Sequence, residues 1–102
     1  MFNVDKDDQN QLFKHARHQV VHDGDIAIFL VYYTNFHYRF HWHQPVETYI
    51  HLSGGMRMIL DNYESKPHVF ENFLDEVNIK SFQKHAMDID SYFFGITVWE
   101  MD

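Results

Sequence analysis

The stretch that decides the fold reads YRFHWHQPVETYIHLSG and occupies residues 38–54 of the 102-residue chain. At its centre, His41, His43 and Glu47 have the spacing His-x-His-x-x-x-Glu. Because alternate side chains of a strand point to the same side, the two imidazoles converge on one place. Pro45 favours a turn after this strand, and that turn lets Glu47 begin the next strand with its carboxylate at the same place.

This set of donors predicts a metal site. Two imidazole nitrogens and a carboxylate oxygen suit a divalent transition metal, and iron(II), manganese, nickel, zinc and copper all accept them. The chain has no cysteine, which excludes disulfides, thiolate metal ligands and a cysteine nucleophile. Further metal ligands must therefore come from histidine, aspartate or glutamate.

The charge of the chain bears on its partners. The formal net charge is −7 with histidine neutral, which argues against nucleic acids and anionic membrane surfaces, because both need clustered Lys and Arg. Residues 1–8 lack the apolar run of a signal peptide. The longest apolar run, residues 26–33, is far shorter than the roughly 20 residues that span a bilayer. We expect a cytoplasmic protein with a small-molecule ligand.

Size and aromatic content bear on self-association. A chain of this length leaves roughly a third of its surface unburied. Its aromatic content is nevertheless 18%, with ten Phe and six Tyr. This surplus of bulky apolar side chains favours a homodimer, and a dense core in a monomer is the alternative.

The N-terminal part has a helical pattern over about residues 7–20. Leu12, Ala16 and Val20 recur at intervals of four, and an aspartate at position 7 or 8 is available as N-cap. We therefore expect one short helix before the strands begin.

Three histidines lie at helical spacings in or just after this segment, at His15, His18 and His22. On one helix face they would form a second metal site. No carboxylate at a suitable spacing completes that site, so we interpret them as solvated surface histidines.

The rest of the chain has the pattern of short strands separated by turns. Residues 26–33 are rich in β-branched and aromatic side chains and predict a strand buried on both faces. Gly54-Gly55 predicts a hairpin. Further strands are predicted at 56–60, 69–74, 77–79 and 92–101. One domain over 1–102, all-β, with a sandwich or barrel at about 25–101, is the expected architecture.

Gly54 follows Glu47 by seven residues, and the full pattern His41-x-His43-x-x-x-Glu47 with this glycine resembles the first motif of the cupin superfamily. The second motif of that family ends in a histidine after a strand and a turn. His85 occupies a similar place, and Asp75 matches the acidic position before the strand.

The second motif departs from the family pattern in its turns. Leu74, Lys80 and Phe82 stand where glycine, proline and glycine are usual. We therefore expect the turn before His85 to be built differently from that of other cupins.

Residues 12–17, 38–48 and 77–100 also resemble the WbuC-type cupin metalloproteins, which accompany bacterial surface-polysaccharide genes. The resemblance implies a cupin jelly-roll barrel, also called a double-stranded β-helix, with frequent homodimers and a divalent metal held by three histidines and one glutamate. On this chain the implied metal ligands are His41, His43, Glu47 and His85.

Three further residues are candidates for catalysis. Arg39 is predicted to share the face of the two histidines and to clamp a carboxylate or phosphate of the substrate, with a salt bridge at the barrel mouth as the alternative. Tyr49 and His51 have the parity of Glu47, so they are predicted to line the pocket as hydrogen-bond donors or an acid/base pair. The alternative is a bulge after Glu47 that breaks this parity.

Aromatic residues alternate with Arg39, His41 and His43 along the strand before Pro45. Tyr38, Phe40 and Trp42 are predicted to occupy the face opposite the histidines. That face must be covered by a helix, a sheet or a second subunit.

The sequence leaves three functions open. The first is a metal-dependent enzyme that isomerises, oxidises or eliminates from a small polar substrate, such as a sugar or sugar-derived acid, with Fe, Mn, Ni or Zn as the metal. The second is a non-catalytic metal or carbohydrate binding module. The third is a metal-free cupin similar to sugar-nucleotide epimerases, and the intact His-x-His-x-x-x-Glu pattern argues against it.

Overall fold

The computed structural model describes residues 15–101, which form seven strands and no helix. None of these residues forms an apolar helix of membrane-spanning length. In chain order the strands are β1 (His15–Asp23), β2 (Ile26–His41), β3 (Val46–Gly54), β4 (Met56–Leu60), β5 (His68–Phe70), β6 (Glu76–Ile79) and β7 (His85–Glu100).

All strand pairs are antiparallel, and β2 and β7 run through the whole structure. One layer has the order β1-β2-β7-β3-β6. The other is made by the C-terminal half of β2, the N-terminal half of β7, and β4 and β5. The two 16-residue strands thus belong to both layers, which face each other across one core.

The bend that lets β2 pass from one layer to the other lies at Asn35. Its φ of 45° is left-handed, and the register with β7 shifts between Thr34 and Phe36. Asparagine tolerates this conformation better than most residues. The extra residue makes a β-bulge, which bends a strand without ending it.

The N-terminal segment differs from the predicted helix where it is described. Residues 15–20 belong to β1, which pairs with β2, so the helix prediction is wrong there. Residues 7–14 of the predicted helix lie outside the described part of the chain. Pairing with the apolar strand β2 overrides the weak helical periodicity. The helical spacing that suggested a metal site among His15, His18 and His22 is therefore absent.

Gly54 and Gly55 form a corner between the layers, and the predicted hairpin is wrong. β3 pairs with β6 and β7, whereas β4 pairs with β5 and β7. Both strands thus lie along the same partner, β7, at different heights. Gly54 has φ +80°, and a Cβ atom there would lie 2.2 Å from the carbonyl oxygen of Tyr92. Only glycine allows this close approach.

Alternating side chains of the two layers fill the core. In β3 the inward positions are Glu47, Tyr49 and His51, all buried, so the parity predicted from the sequence is confirmed. The register shift in β3 comes later, between His51 and Ser53. The apolar core consists of Ala27, Phe29, Val31, Tyr33, Phe36, Tyr49, Met56, Met58, Phe70, Val77, Ile79, Ala86, Met87, Ile89 and Phe93.

We expect Gly54→Ala to destabilise the fold by about 3 kcal/mol or more, because it adds a backbone clash to the cost of a left-handed alanine. Gly24→Ala is the matched control: φ is +58° there, but nothing lies within 4 Å of the added Cβ. The control is expected to cost about 1 kcal/mol. Urea unfolding measures both, and equal losses would contradict the close approach at Gly54.

Candidate metal centre

Four predicted metal ligands meet where β2 ends, β3 begins and β7 begins. His41 is the last residue of β2 and lies directly opposite His85, the first residue of β7. His43 lies in the turn after β2, and Glu47 is the second residue of β3. Three separate segments thus place their donors at one end of the barrel.

Each of the three histidines is oriented by a backbone carbonyl. The Nδ1 of His41 donates to Arg39 at 3.0 Å, that of His43 to Pro45 at 2.9 Å, and that of His85 to Gln83 at 2.9 Å. A carbonyl oxygen only accepts, so Nδ1 carries the proton in each ring and Nε2 is the nitrogen that a metal would bind. In His43 this nitrogen lies 3.2 Å from Oε1 of Glu47, a contact that a metal ion would replace. This arrangement is typical of metal-binding histidines.

The ligand atoms lie close together. One nitrogen from each of His41, His43 and His85 lies within 4.8 Å of the others, and Oε1 of Glu47 lies 3.2 Å from His43 Nε2 and 3.8 Å from His85 Nε2. Donors bound at about 2.1 Å to one metal lie at most about 4.2 Å apart. The three histidines could therefore hold a metal after small movements of the rings.

His85 gives the clearest sign that the cluster suits a metal. The residue is fully buried, and its Nε2 has no hydrogen-bond partner among the described residues. Burial, together with the charge of His41, lowers the pKa of His85 to about 4. The ring is therefore neutral at neutral pH, with an unused lone pair directed at the cluster, and a metal ion would satisfy it.

Glu47 is buried and ionised. Burial alone would raise its pKa, but the hydrogen bond with His43 and the charges of Arg17, His43 and His85 lower it to about 2. Its second oxygen, Oε2, accepts from Arg17 Nη2 at 3.0 Å and from the indole Nε1 of Trp99. One oxygen thus faces the histidines while the other is held by two donors.

Arg17 and Trp99 were not predicted as part of the site. The Arg17 guanidinium reaches Glu47 from β1, lying 5.0 Å from the Phe29 ring centre and 4.9 Å from that of Trp99. Trp99 also stacks on His43, with ring centres 4.6 Å apart. The sequence carries a signal for Trp99. Strand alternation puts Trp99 on the inward side of β7 and Val98 on the outward side, and a buried indole N–H needs an acceptor.

The turn before His85 differs from the family pattern in residue type, but two of the replaced positions keep the backbone conformation of glycine, so the expectation of a differently built turn is not supported there. Leu74 has φ 66° and Phe82 has φ 60°, so both adopt the left-handed conformation that glycine favours. The backbone N–H of Phe82 donates to the carbonyl of His43 at 2.8 Å. This bond ties the turn that carries His85 to the turn that carries His43.

A bulge near the end of β2 changes which side chains share the histidine face. The register with β7 shifts between Tyr38 and His41. Tyr38 therefore packs on the core with its ring centre 4.0 Å from that of His41, and its prediction on the opposite face is wrong. Arg39 has an exposed side chain, and its role as an anion clamp stays a prediction.

The other two catalytic candidates are buried below the ligands. The hydroxyl of Tyr49 lies 3.4 Å from that of Tyr33, and burial raises the pKa of Tyr49 well above its ordinary value. Both ring nitrogens of His51 lie 2.7 Å from backbone carbonyl oxygens, of Asn72 and Gly54. His51 thus ties a loop to the end of β3, and an acid/base role for either residue stays a prediction.

Comparison with solved structures identifies the fold. No protein-family model and no curated protein matches the sequence. Among solved structures, the DMSP lyase DddQ from Ruegeria pomeroyi DSS-3 is similar with a TM-score of 0.77 and 23% identity. The match covers 91% of this chain and 50% of that chain, so this chain spans half the length of the lyase.

Two further structures match over most of both chains. A cupin superfamily protein from Desulfitobacterium hafniense DCB-2 has a TM-score of 0.75 and 12% identity, with 87% of this chain and 79% of that chain covered. KdgF from Halomonas sp. has a TM-score of 0.73 and 14% identity, with 87% and 80% covered. The chain therefore has the cupin fold, an all-β double-stranded β-helix, which confirms the predicted fold class.

We expect His51→Ala to destabilise the chain by about 2–4 kcal/mol, because it leaves a cavity and removes the contacts of the ring nitrogens with two backbone carbonyl groups. Its effect on metal affinity should be negligible, since His51 lies about 13 Å along the strand from Glu47. Urea unfolding and a metal titration of the folded variant check both parts. A folded variant with unchanged stability but weaker metal binding would contradict the structural role.

Proposed function

We propose that this chain is a metal-dependent cupin enzyme that binds one divalent transition metal through His41, His43, His85 and Glu47. The observation that carries this proposal is the buried Nε2 of His85, which has a free lone pair and no hydrogen-bond partner among residues 15–101. The three Nδ1 hydrogen bonds support it, because they orient three imidazoles toward one point.

The metal is proposed to be Fe, Mn, Ni or Zn, since neutral imidazoles and a carboxylate suit all four ions. When bound, it would supply Lewis acidity toward a carbonyl, carboxylate or hydroxyl group of the substrate. The chain's own residues orient the ligands: carbonyl groups fix the three rings, and Trp99 packs on His43. Burial of Glu47 and His85 keeps water away from the inner side of the cluster.

The substrate is proposed to be a small polar molecule, such as a sugar or sugar-derived acid, that undergoes elimination, isomerisation or oxidation. The resemblance of residues 38–48 to WbuC-type cupins supports a sugar-derived substrate and a role in polysaccharide biosynthesis. The similar fold of a DMSP lyase supports elimination. The match covers only 50% of that protein at 23% identity, so its substrate is not transferred to this chain.

A non-catalytic metal or carbohydrate binding module is the second candidate. It is favoured by the positions of two predicted catalytic residues. His51 is held by carbonyl groups away from the ligands, and Arg39 is exposed. In a binding module the metal would hold a ligand without converting it.

We also propose that the chain forms a homodimer through the outer face of the larger layer. Ile28, Leu30, Ile50, Ile96 and Val98 are all half-buried there. The register puts Ile28 beside Val98, and Ile96 between Leu30 and Ile50. An apolar face of this kind suits a twofold contact between identical surfaces.

Purified chain reconstituted with Fe, Mn, Ni or Zn is expected to bind one metal ion, and His43→Ala to bind at least tenfold more weakly, because it loses one ligand. His68→Ala is the matched control, since His68 pairs with Asp75 at 2.9 Å and does not belong to the cluster. Elemental analysis after gel filtration measures the stoichiometry. Absence of stoichiometric metal from the wild type would refute the proposed function.

Turnover separates the enzyme from the binding module. Chain loaded with each metal is expected to convert at least one of a panel of sugar acids, and His43→Ala to lose this activity with the metal. NMR spectra of the mixtures, recorded over time, reveal new products. A sugar acid that binds only to metal-loaded chain but is recovered unchanged with every metal would favour the module.

The dimer has a direct test. Sedimentation equilibrium at micromolar concentration is expected to give twice the mass of one chain, and Ile96→Glu to give the mass of one chain, because a charge in the centre of the apolar face opposes association. Metal stoichiometry per chain should stay unchanged in this variant. A wild-type mass equal to that of one chain would refute the proposed homodimer.

A further inference from the structure

We infer that Arg17, with Trp99, is a positioning residue that limits Glu47 to one oxygen as metal ligand and compensates its charge, so that the loaded site favours an anionic ligand. This inference rests on the proposed metal site. It adds a role for two residues outside the ligand set.

The first step is that the two oxygens of the Glu47 carboxylate have different partners. Oε2 accepts from both Arg17 Nη2, at 3.0 Å, and Trp99 Nε1. Oε1 is the atom near the histidines, 3.2 Å from His43 Nε2 and 3.8 Å from His85 Nε2. A carboxylate held in this way offers one oxygen to the cluster, because turning the second oxygen inward would break both hydrogen bonds.

The second step is that the guanidinium is itself held in place. Arg17 belongs to β1, and its side chain crosses β2 and β7 to reach Glu47 on β3. On the way it lies over the rings of Phe29 and Trp99. Such stacking suits the flat guanidinium and restricts its movement. The clamp therefore spans four neighbouring strands and is pre-organised in the fold.

The third step concerns charge. Imidazoles that bind a metal are neutral and add no charge to the loaded site, whereas the carboxylate of Glu47 adds −1 and the guanidinium of Arg17 adds +1. The charges of these protein groups therefore cancel, and the loaded site keeps the two positive charges of the divalent ion. At the half-buried cluster this excess charge attracts an anion strongly. A carboxylate-bearing substrate is the chemical class that fits, and azide is a simple probe for it.

The test uses the cobalt(II)-loaded chain, because cobalt absorption reports coordination. Wild type and Arg17→Met are first saturated with cobalt, and one ion per chain is verified by elemental analysis. Azide is then titrated in each. We expect Arg17→Met to bind azide about tenfold to a hundredfold more weakly and to show an altered cobalt spectrum before azide is added, since the carboxylate can turn both oxygens inward.

Matched variants separate the two effects of Arg17. Arg17→Lys keeps the charge and should bind azide more tightly than Arg17→Met. Trp99→Phe keeps an aromatic ring beside His43 but removes the N–H donor, so it should change the cobalt spectrum while leaving the charge of the site unchanged. Arg57→Met removes a partly exposed arginine that pairs with Asp88 and Asp90, and this variant should match the wild type in both readouts.

The possible outcomes are distinct. Azide affinity and cobalt spectrum equal to wild type in Arg17→Met would overturn the inference while leaving the metal site intact. If Arg17→Met fails to fold by circular dichroism, Trp99→Phe decides: an unchanged cobalt spectrum overturns the positioning role. Failure of the wild type to bind cobalt, iron, manganese, nickel or zinc would overturn the proposed function and this inference with it.

Discussion

The antiparallel pairing of β2 with β7 is the constraint on which the rest of the structure depends. Both strands have 16 residues and belong to both layers, and their register sets His41 opposite His85. A slip by one residue would turn every core side chain to the outside. The same register that buries the apolar residues therefore also brings together two histidines separated by 44 positions in sequence.

Much of this arrangement could be predicted from local sequence. The spacing of His41, His43 and Glu47 depends only on strand alternation and one turn at Pro45, and both operate over a few residues. Inward Tyr49 and His51 follow from the same alternation. The fold class follows from short apolar segments separated by turns, and the cupin fold of the similar structures confirms it. Short-range periodicity is thus a sound guide where strands are regular.

The errors in the prediction fall where long-range pairing overrides the local pattern. Residues 15–20 have helical spacing, yet they form a strand because β2 offers an unpaired edge. Gly54 looks like a hairpin glycine, but the layers meet there because both flanking strands pair with β7. Tyr38 was placed on the wrong face because a bulge is invisible in a pattern of alternating residues. The contact of Arg17 with Glu47 does not follow from local spacing either, because the two residues lie 30 positions apart in the sequence.

The candidate centre places costly buried polar groups at one end of the barrel. A buried carboxylate is tolerated at Glu47 only because Arg17, Trp99 and His43 supply hydrogen bonds and charge. A buried imidazole nitrogen at His85 has no such partner among residues 15–101. Apolar residues of similar size would fill this end of the barrel at lower cost. Departures from the rules of stable packing that converge on one point are expected where function requires them, and the donors concerned are those a transition metal binds.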